Sequence, residues 1–308
     1  MARPALRSFP RALAGALAGA ALGAAAARVA YAAFTRRPPV GDAETWARTN
    51  HRGEPITLLE GPAFVAGAGA AAVVTPGLPV RVRLAALLAA AGAGGLGAYD
   101  DLYGATSSKG FRGHLSALAK GEVTSGAVKI LGIGVTGLAA AALTSRTPPD
   151  VTAGAPASRA LVDVAVDGAL IAGSANLANL FDLRPGRAVK VGLLAGAPLL
   201  AAGLRRGDPA SAALAALPMG AAAALLGEDL GERAMLGDAG ANALGALLGL
   251  AATVSLNRPG RLAVLGTVAA LTAASEKVSF TKVIAGNPFL HRVDMLGRRP
   301  VEQAPTPR

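Results

Sequence analysis

Four polar clusters interrupt an otherwise apolar sequence, and each carries residue types that can do chemistry. In the first, Tyr99-Asp100-Asp101-Leu102, two adjacent carboxylates follow a long apolar run. Adjacent carboxylates repel, and near a membrane both need a cation or hydrogen-bond donor to offset lost hydration. Magnesium is such a cation: it takes oxygen ligands, and its sites commonly combine one or two carboxylates with substrate phosphates. The plainer reading of the same pair is a solvated helix end. Directly downstream, Ser108-Lys109-Gly110-Phe111-Arg112-Gly113-His114, followed by Lys120, sets cations among glycines. Glycine lets a backbone approach a phosphate closely, and the cations neutralise it. Taken alone, this is an ordinary basic loop.

The third cluster is Asn176-x-x-Asn179-x-x-Asp182, followed by Arg184, Arg187 and Lys190. A spacing of three keeps the two carboxamides and the carboxylate on one flank of a helix. Carboxamides both donate and accept, so they can read a base edge, a sugar or a phosphate. Pro185 and Gly186 break the helix just where the cations begin. Asp163 and Asp167 lie earlier on the same segment, with Asp167 expected inside the bundle and Asp163 at the outer surface. In the fourth cluster, Met235-Leu236-Gly237-Asp238-Ala239-Gly240, Asp238 stands just before an apolar run. A carboxylate there is either a helix cap, stabilised by the helix dipole, or a cation ligand held at the membrane surface.

The elements that would position these clusters are membrane helices. Of 308 residues, 52% are hydrophobic and 16% charged, against about 25% charged in average soluble domains. Several apolar stretches approach the roughly 20 residues needed to span a bilayer. Nine helices are expected, near 12–34, 61–76, 82–98, 125–143, 159–180, 189–204, 210–226, 240–256 and 261–275. Gly15, Gly19 and Gly23 in the first, and Gly245 and Gly249 in the eighth, have the spacing that lets helix backbones meet, although Ala/Gly bias alone would also produce it. The first helix reads as retained rather than as a cleaved signal segment. The fold class is therefore an all-α membrane bundle, a single domain over residues 1–308, with 276–308 as an amphipathic tail on the cytoplasmic side. In that tail Asn287 and Pro288 open a short helix that Gly297 ends, aligning Phe289, Leu290, Val293 and Leu296 on one face.

With nine crossings, the segments 35–60, 99–124, 181–188, 227–239 and the tail share one side. They hold nearly all the polar motifs and most of the Lys and Arg, which places them in the cytoplasm of a plasma-membrane protein. Arg3, Arg7 and Arg11 before the first helix pull the other way, but the summed loops outweigh them. The formal charge of +11 would suggest nucleic acid in a soluble protein. Here the cations lie between apolar segments without stacking aromatics, so topology and anionic membrane lipids account for them, and nucleic acid is not an expected partner. The chain has no cysteine, which excludes disulfides and thiolate chemistry, and its three histidines, His51, His114 and His291, are too scattered to suggest a zinc site.

Together the clusters resemble the polyprenyl-phosphate N-acetylhexosamine-1-phosphate transferases, the superfamily that includes phospho-N-acetylmuramoyl-pentapeptide transferase. The resemblance runs from about Thr49 to the ninth helix and rests on order: Asp-Asp after the third helix, N-x-x-N-x-x-D at the end of the fifth, and G-D-x-G before the eighth. It implies a helical membrane bundle whose cytoplasmic face moves a sugar-1-phosphate from a UDP-sugar to a polyprenyl phosphate, with magnesium, releasing UMP, in cell-envelope glycan synthesis. It also implies roles: Asp100 and Asp101 as the catalytic acidic pair, and Asp238, with Asp100, as the magnesium site. Asn176, Asn179 and Asp182 would line the nucleotide-sugar site, with Lys109 nearby, and Arg184, Arg187 and Lys190 are expected on phosphate oxygens. A homodimer is compatible with this reading. Several features depart from the family. Ser275-Glu276-Lys277-Val278 occupies the region of its histidine-rich motif, Met235 replaces a uracil-stacking aromatic, Asp182-Leu183-Arg184-Pro185-Gly186 replaces D-G-x-D-G, and a tenth helix is lacking. These departures leave the donor sugar open and bring in an alternative: a non-catalytic membrane relative acting as scaffold or lipid-phosphate binder.

Overall fold

The computed structural model describes residues 4–104, 120–121, 124–145 and 157–300. Nine helices follow the expected order: α1 (Pro4–Arg36), α2 (Glu60–Val74), α3 (Val80–Tyr103), α4 (Ser125–Thr144), α5 (Ala157–Phe181), α6 (Arg187–Arg206), α7 (Pro209–Leu230), α8 (Gly237–Ser255) and α9 (Arg258–Ser275). Two short helices, α10 (Phe280–Gly286) and α11 (Pro288–Met295), complete the described chain. Six of these, α1 and α3 to α7, are long and apolar enough to cross a membrane, and α9 with α10 forms a seventh candidate bent by 95°. The protein is built as an integral membrane helix bundle. The 15 residues of α2 reach only about 22 Å, short of the roughly 30 Å hydrocarbon layer.

Helix α8 is the hub. Nearly all of its residues are buried, and it packs against α2, α3, α5, α6 and α7. A helix enclosed by other helices need not be apolar enough for lipid, which is how α8 tolerates Asp238 and Asn242. At the rim of the bundle α1 lies along α7 through small residues. A Cβ on Gly15, Gly19 or Gly23 would sit 2.7, 2.6 or 2.3 Å from the carbonyl oxygens of Pro209, Ala213 and Leu217. Their four-residue spacing is thus a packing device and not only compositional bias.

Between α1 and α2 the chain forms a small hairpin that the sequence reading did not include, β1 (Ala47–Thr49) paired antiparallel with β2 (Pro55–Thr57). Trp46, just before it, is buried with Leu58 and Leu59 against Met235 and Leu102. The hairpin extends onto the loop before α8, where Thr57 accepts from the Met235 N–H at 3.1 Å and donates to the Arg233 carbonyl at 3.2 Å. At the far end of α9, Arg261 pairs with the buried Asp167 at 2.5 Å, and Arg258 pairs with Asp163 at 3.3 Å.

Two of the boundaries that shift from expectation share one cause. Helix α3 runs through Asp100 and Asp101 to Tyr103, and α8 begins at Gly237, so both acidic motifs lie inside helix termini rather than beyond them. The C-terminal turn of α3 meets the N-terminal turn of α8, and each stabilises the other.

Candidate functional site

The contact between α3 and α8 depends on glycine. A Cβ at Gly97 would fall 2.2 Å from the Asp238 carbonyl oxygen, and one at Gly61 would fall 2.2 Å from the Leu236 carbonyl oxygen. On the other side of α8, a Cβ at Gly245 would stand 2.2 Å from the Ser174 carbonyl oxygen of α5. Helices α2, α3 and α5 therefore hold α8 at backbone-to-backbone distance and fix where Asp238 points.

Asp101 supplies the cap that α8 lacks in its own sequence. Its carboxylate oxygens accept the Asp238 N–H at 3.0 Å and the Ala239 N–H at 2.9 Å. A carboxylate on orphan N–H groups at a helix N-terminus satisfies both donors and complements the dipole. The cap anticipated from Asp238 thus comes from α3, which leaves the Asp238 side chain to face elsewhere. The Asp101 carbonyl in turn accepts from the Arg48 guanidinium of the hairpin, and Asn242 donates to the Asp238 carbonyl at 2.7 Å.

Asp100 and Asp238 face each other, their carboxyls within hydrogen-bonding reach. Between them lies Lys129 of α4, whose ammonium bonds Asp100 at 2.6 Å and also bonds Asp238. Ser125 lies beside Asp100. The three side chains are only 15–26% exposed, so one ammonium lies between two poorly solvated carboxyls.

Asp182 approaches the same turn from the α5–α6 connection. It is buried, lies beside the Gly237 backbone N–H, and has one oxygen without a hydrogen-bond partner among the described residues. Burial first, then the charges of Asp229, Asp238 and Asp101, holds its carboxyl well above the usual carboxylate range. Behind it lie Asp229, which accepts from the Gly186 N–H at 2.9 Å, and Glu60, fully buried with neither oxygen hydrogen-bonded among the described residues.

The centre opens into a cavity of about 970 Å³ between α4, α5, α8 and α9. Lys129, Asn176 and Asn242 supply polar groups, and Ile130, Ile133, Leu265 and Val268 supply alkyl walls.

The structure therefore gathers Asp100, Asp101, Asp182 and Asp238 at one corner of the bundle, with Asn176 on the adjoining cavity. Asn179 remains half-buried at the end of α5, its carbonyl accepting from the Asp182 N–H at 3.0 Å. Arg184 donates to the neighbouring Leu183 carbonyl at 2.9 Å. Arg187 and Lys190 do not join the aspartates, contrary to a phosphate-binding role at that corner. Arg187 is buried and gripped by Asp294 of α11 at 2.7 and 3.1 Å, and Lys190 donates to the Asp294 carbonyl at 2.6 Å. An arginine at the start of α6 needs an anion there, and the tail provides it. Lys109 lies outside the described residues. Three site residues escaped the sequence reading. Lys129 reads as a cation snorkelling near a helix start, whereas Glu60 and Asp229 carry no local signal that separates them from loop charges.

Asp100 and Asp238 could hold a divalent cation, though not in an all-protein cage. Asp100 and Asp238 offer oxygen only, and Lys129 stands where a cation is wanted. Among the described residues no three acids or histidines are disposed to share a metal ion. Magnesium usually keeps waters and completes its shell with substrate phosphates, so two carboxylates suffice. No family model matches the sequence, and no curated protein matches it significantly.

Proposed function

We propose that the chain is a magnesium-dependent phosphoglycosyltransferase that moves a sugar-1-phosphate from a UDP-sugar to a polyprenyl phosphate at the cytoplasmic face of the plasma membrane, for cell-envelope glycan synthesis. The observation that carries this reading is the continuity, through Lys129, of the Asp100–Lys129–Asp238 centre with a largely alkyl-walled cavity between α4, α5, α8 and α9. One end of that space suits a phosphate and a cation, and the rest suits a prenyl chain. The ordered motifs of the sequence support the same assignment, as does the meeting of the ends of α3 and α5 with the start of α8.

In this reading the prenyl chain lies along α4, α5 and α9, with its phosphate against Lys129 and within reach of Asn176 and Asn242. The UDP-sugar enters from the aqueous side, toward the Asn179–Asp182 turn. A lipid-phosphate oxygen attacks the β-phosphorus, the bond to the α,β-bridging oxygen breaks, and UMP leaves with that oxygen. Asp100 orients the acceptor or takes its proton, and Asp101 holds the α8 terminus that presents Asp238. Asp100 and Asp238 would hold magnesium, which when bound neutralises the diphosphate and the leaving UMP. Such transfer needs positioning and charge neutralisation more than a covalent catalyst.

One observation favours a second reading. Lys129 satisfies both carboxylates without any metal, as a non-catalytic lipid-phosphate binder would require. The readings separate in purified protein given a radiolabelled UDP-N-acetylhexosamine and polyprenyl phosphate. UMP release with a lipid-linked product, lost in Asp238→Asn, supports the enzyme. Lipid-phosphate binding without UMP release across a panel of UDP-sugars supports the binder and refutes the transferase.

A further inference from the structure

A second cavity, of about 480 Å³, lies between α6, α9, α10 and α11. That volume falls within the roughly 300–1,000 Å³ of ordinary ligand sites. It shares only Ala274 with the cavity beside Lys129, and none of the converging aspartates lines it. Its walls are alkyl and aromatic, including Leu194, Leu271, Phe280, Val283, Ile284 and Leu290. Phe280 stacks on Phe181 with ring centroids 4.8 Å apart.

The groove is formed where the chain leaves α9 through a 95° bend, so that α10 and α11 run across the end of the bundle. These two helices keep large apolar side chains exposed: Val283 at 46%, Phe289 at 72% and Leu290 at 39%. In water such a surface would be unfavourable, but at a bilayer interface it is buried in the headgroup–acyl boundary. Cations accompany it. Residues 276–300 contain five Lys or Arg and two acids. Lys282 and Arg292 adjoin the groove-lining Val283 and Val293, are exposed, and make no ion pair among the described residues. Lys190 lines the groove itself and gives its ammonium to a backbone carbonyl, and among the described residues no carboxylate forms an ion pair with it.

We propose that this groove holds an acyl chain of an anionic diacyl phospholipid of the surrounding bilayer, whose headgroup rests on Lys190, Lys282 and Arg292. The charge pattern selects an anionic headgroup, and the apolar walls select a chain that enters sideways from the membrane. A lipid seated there buttresses α10 and α11 against α6, the junction that Arg187 and Asp294 already pin. The site is independent of the transferase reading.

The test uses the full chain in nanodiscs of equimolar phosphatidylglycerol and phosphatidylcholine, released into native mass spectrometry to count retained lipids. Phosphatidylglycerol should be enriched on the protein. The K282Q/R292Q double variant should lose that preference by about fivefold for each charge removed. R205Q/R206Q, at the opposite end of α6, should keep it. Val283→Trp and, separately, Leu194→Trp fill the groove and should lower retention of both lipids, with unchanged helical circular dichroism confirming the fold. Equal preference in the parent and K282Q/R292Q overturns the headgroup assignment. Undiminished retention in both correctly folded tryptophan variants overturns the groove. Displacement of phosphatidylglycerol by added polyprenyl phosphate, one for one, overturns the bulk-lipid source. A lipid-free dimer abolished by Val283→Trp overturns the proposal in favour of a second copy as the occupant.

Discussion

Replacing Lys129 with methionine keeps the shape of the side chain and removes its charge. Asp100 and Asp238 are then left face to face without the ammonium between them. Breaking a fully buried ion pair by removing one partner costs about 3–5 kcal/mol. Here the side chains are 15–26% exposed, and solvent screening lowers the expected loss to about 2–3 kcal/mol. For a chain of 308 residues that corresponds to a fall in Tm of about 3–5 °C, read by thermal unfolding in detergent at pH 7 without divalent ions. Two companion measurements separate charge from packing. Adding Asp238→Asn to Lys129→Met should restore most of the loss, because one carboxylate no longer faces another. Magnesium at about a hundredfold its Kd should restore roughly 2.7 kcal/mol. An unchanged Tm in Lys129→Met, or a further loss on adding Asp238→Asn, would refute the reasoning.

Asp101→Ala leaves two helix N–H groups without their cap and should cost about 1–3 kcal/mol in the same assay, with Asp101→Asn recovering about half because one carbonyl acceptor remains. Gly97→Ala should destabilise by about 1–3 kcal/mol and displace Asp238, since its Cβ would meet the Asp238 carbonyl, whereas Gly95→Ala, which faces open space, should be close to neutral. For Asp294, burial pushes the carboxyl up, but the hydrogen bonds and charge of Arg187, with Arg298 and Lys190, outweigh burial and leave it below the usual range. A depressed carboxylate contributes its stability above the unfolded value of about 3.9 and loses it as pH falls through the lower folded value. The tail should therefore resist proteolysis unchanged from pH 7 to about pH 5 and be released below about pH 4, whereas Arg187→Gln should release it at neutral pH.

The helices were legible because their signals are local and repeated. Apolar runs near membrane length marked all nine, and Asn287, Pro288 and Gly297 delimited α11 as read from the sequence: Asn287 accepts from the Phe289 and Leu290 N–H groups, and Gly297 takes a φ of +72°. The hairpin at 47–57 was missed because three-residue strands carry little periodicity and are held by the distant Ala234–Met235 backbone. At the site, carboxylates announced themselves by type and order, so Asp100, Asp101, Asp182 and Asp238 were found. Their division of labour was not readable. Whether a carboxylate caps a helix or faces a cavity depends on a partner more than a hundred residues away, as Asp101 and Asp238 illustrate. The same distance hid Lys129 and sent Arg187 and Lys190 to the tail, because sequence shows that a cation needs an anion but not which anion reaches it.

We propose that Asp100 and Asp238 converge on a point that accepts a divalent cation beside the cavity lined by Lys129. Manganese binding to the purified full chain, followed by electron paramagnetic resonance in detergent with a UDP-sugar present, tests it without any turnover. One bound manganese per chain, lost in both Asp100→Asn and Asp238→Asn and tightened in Lys129→Met, is the predicted result. Manganese binding that is absent from the parent chain, or that survives both aspartate substitutions, would contradict it.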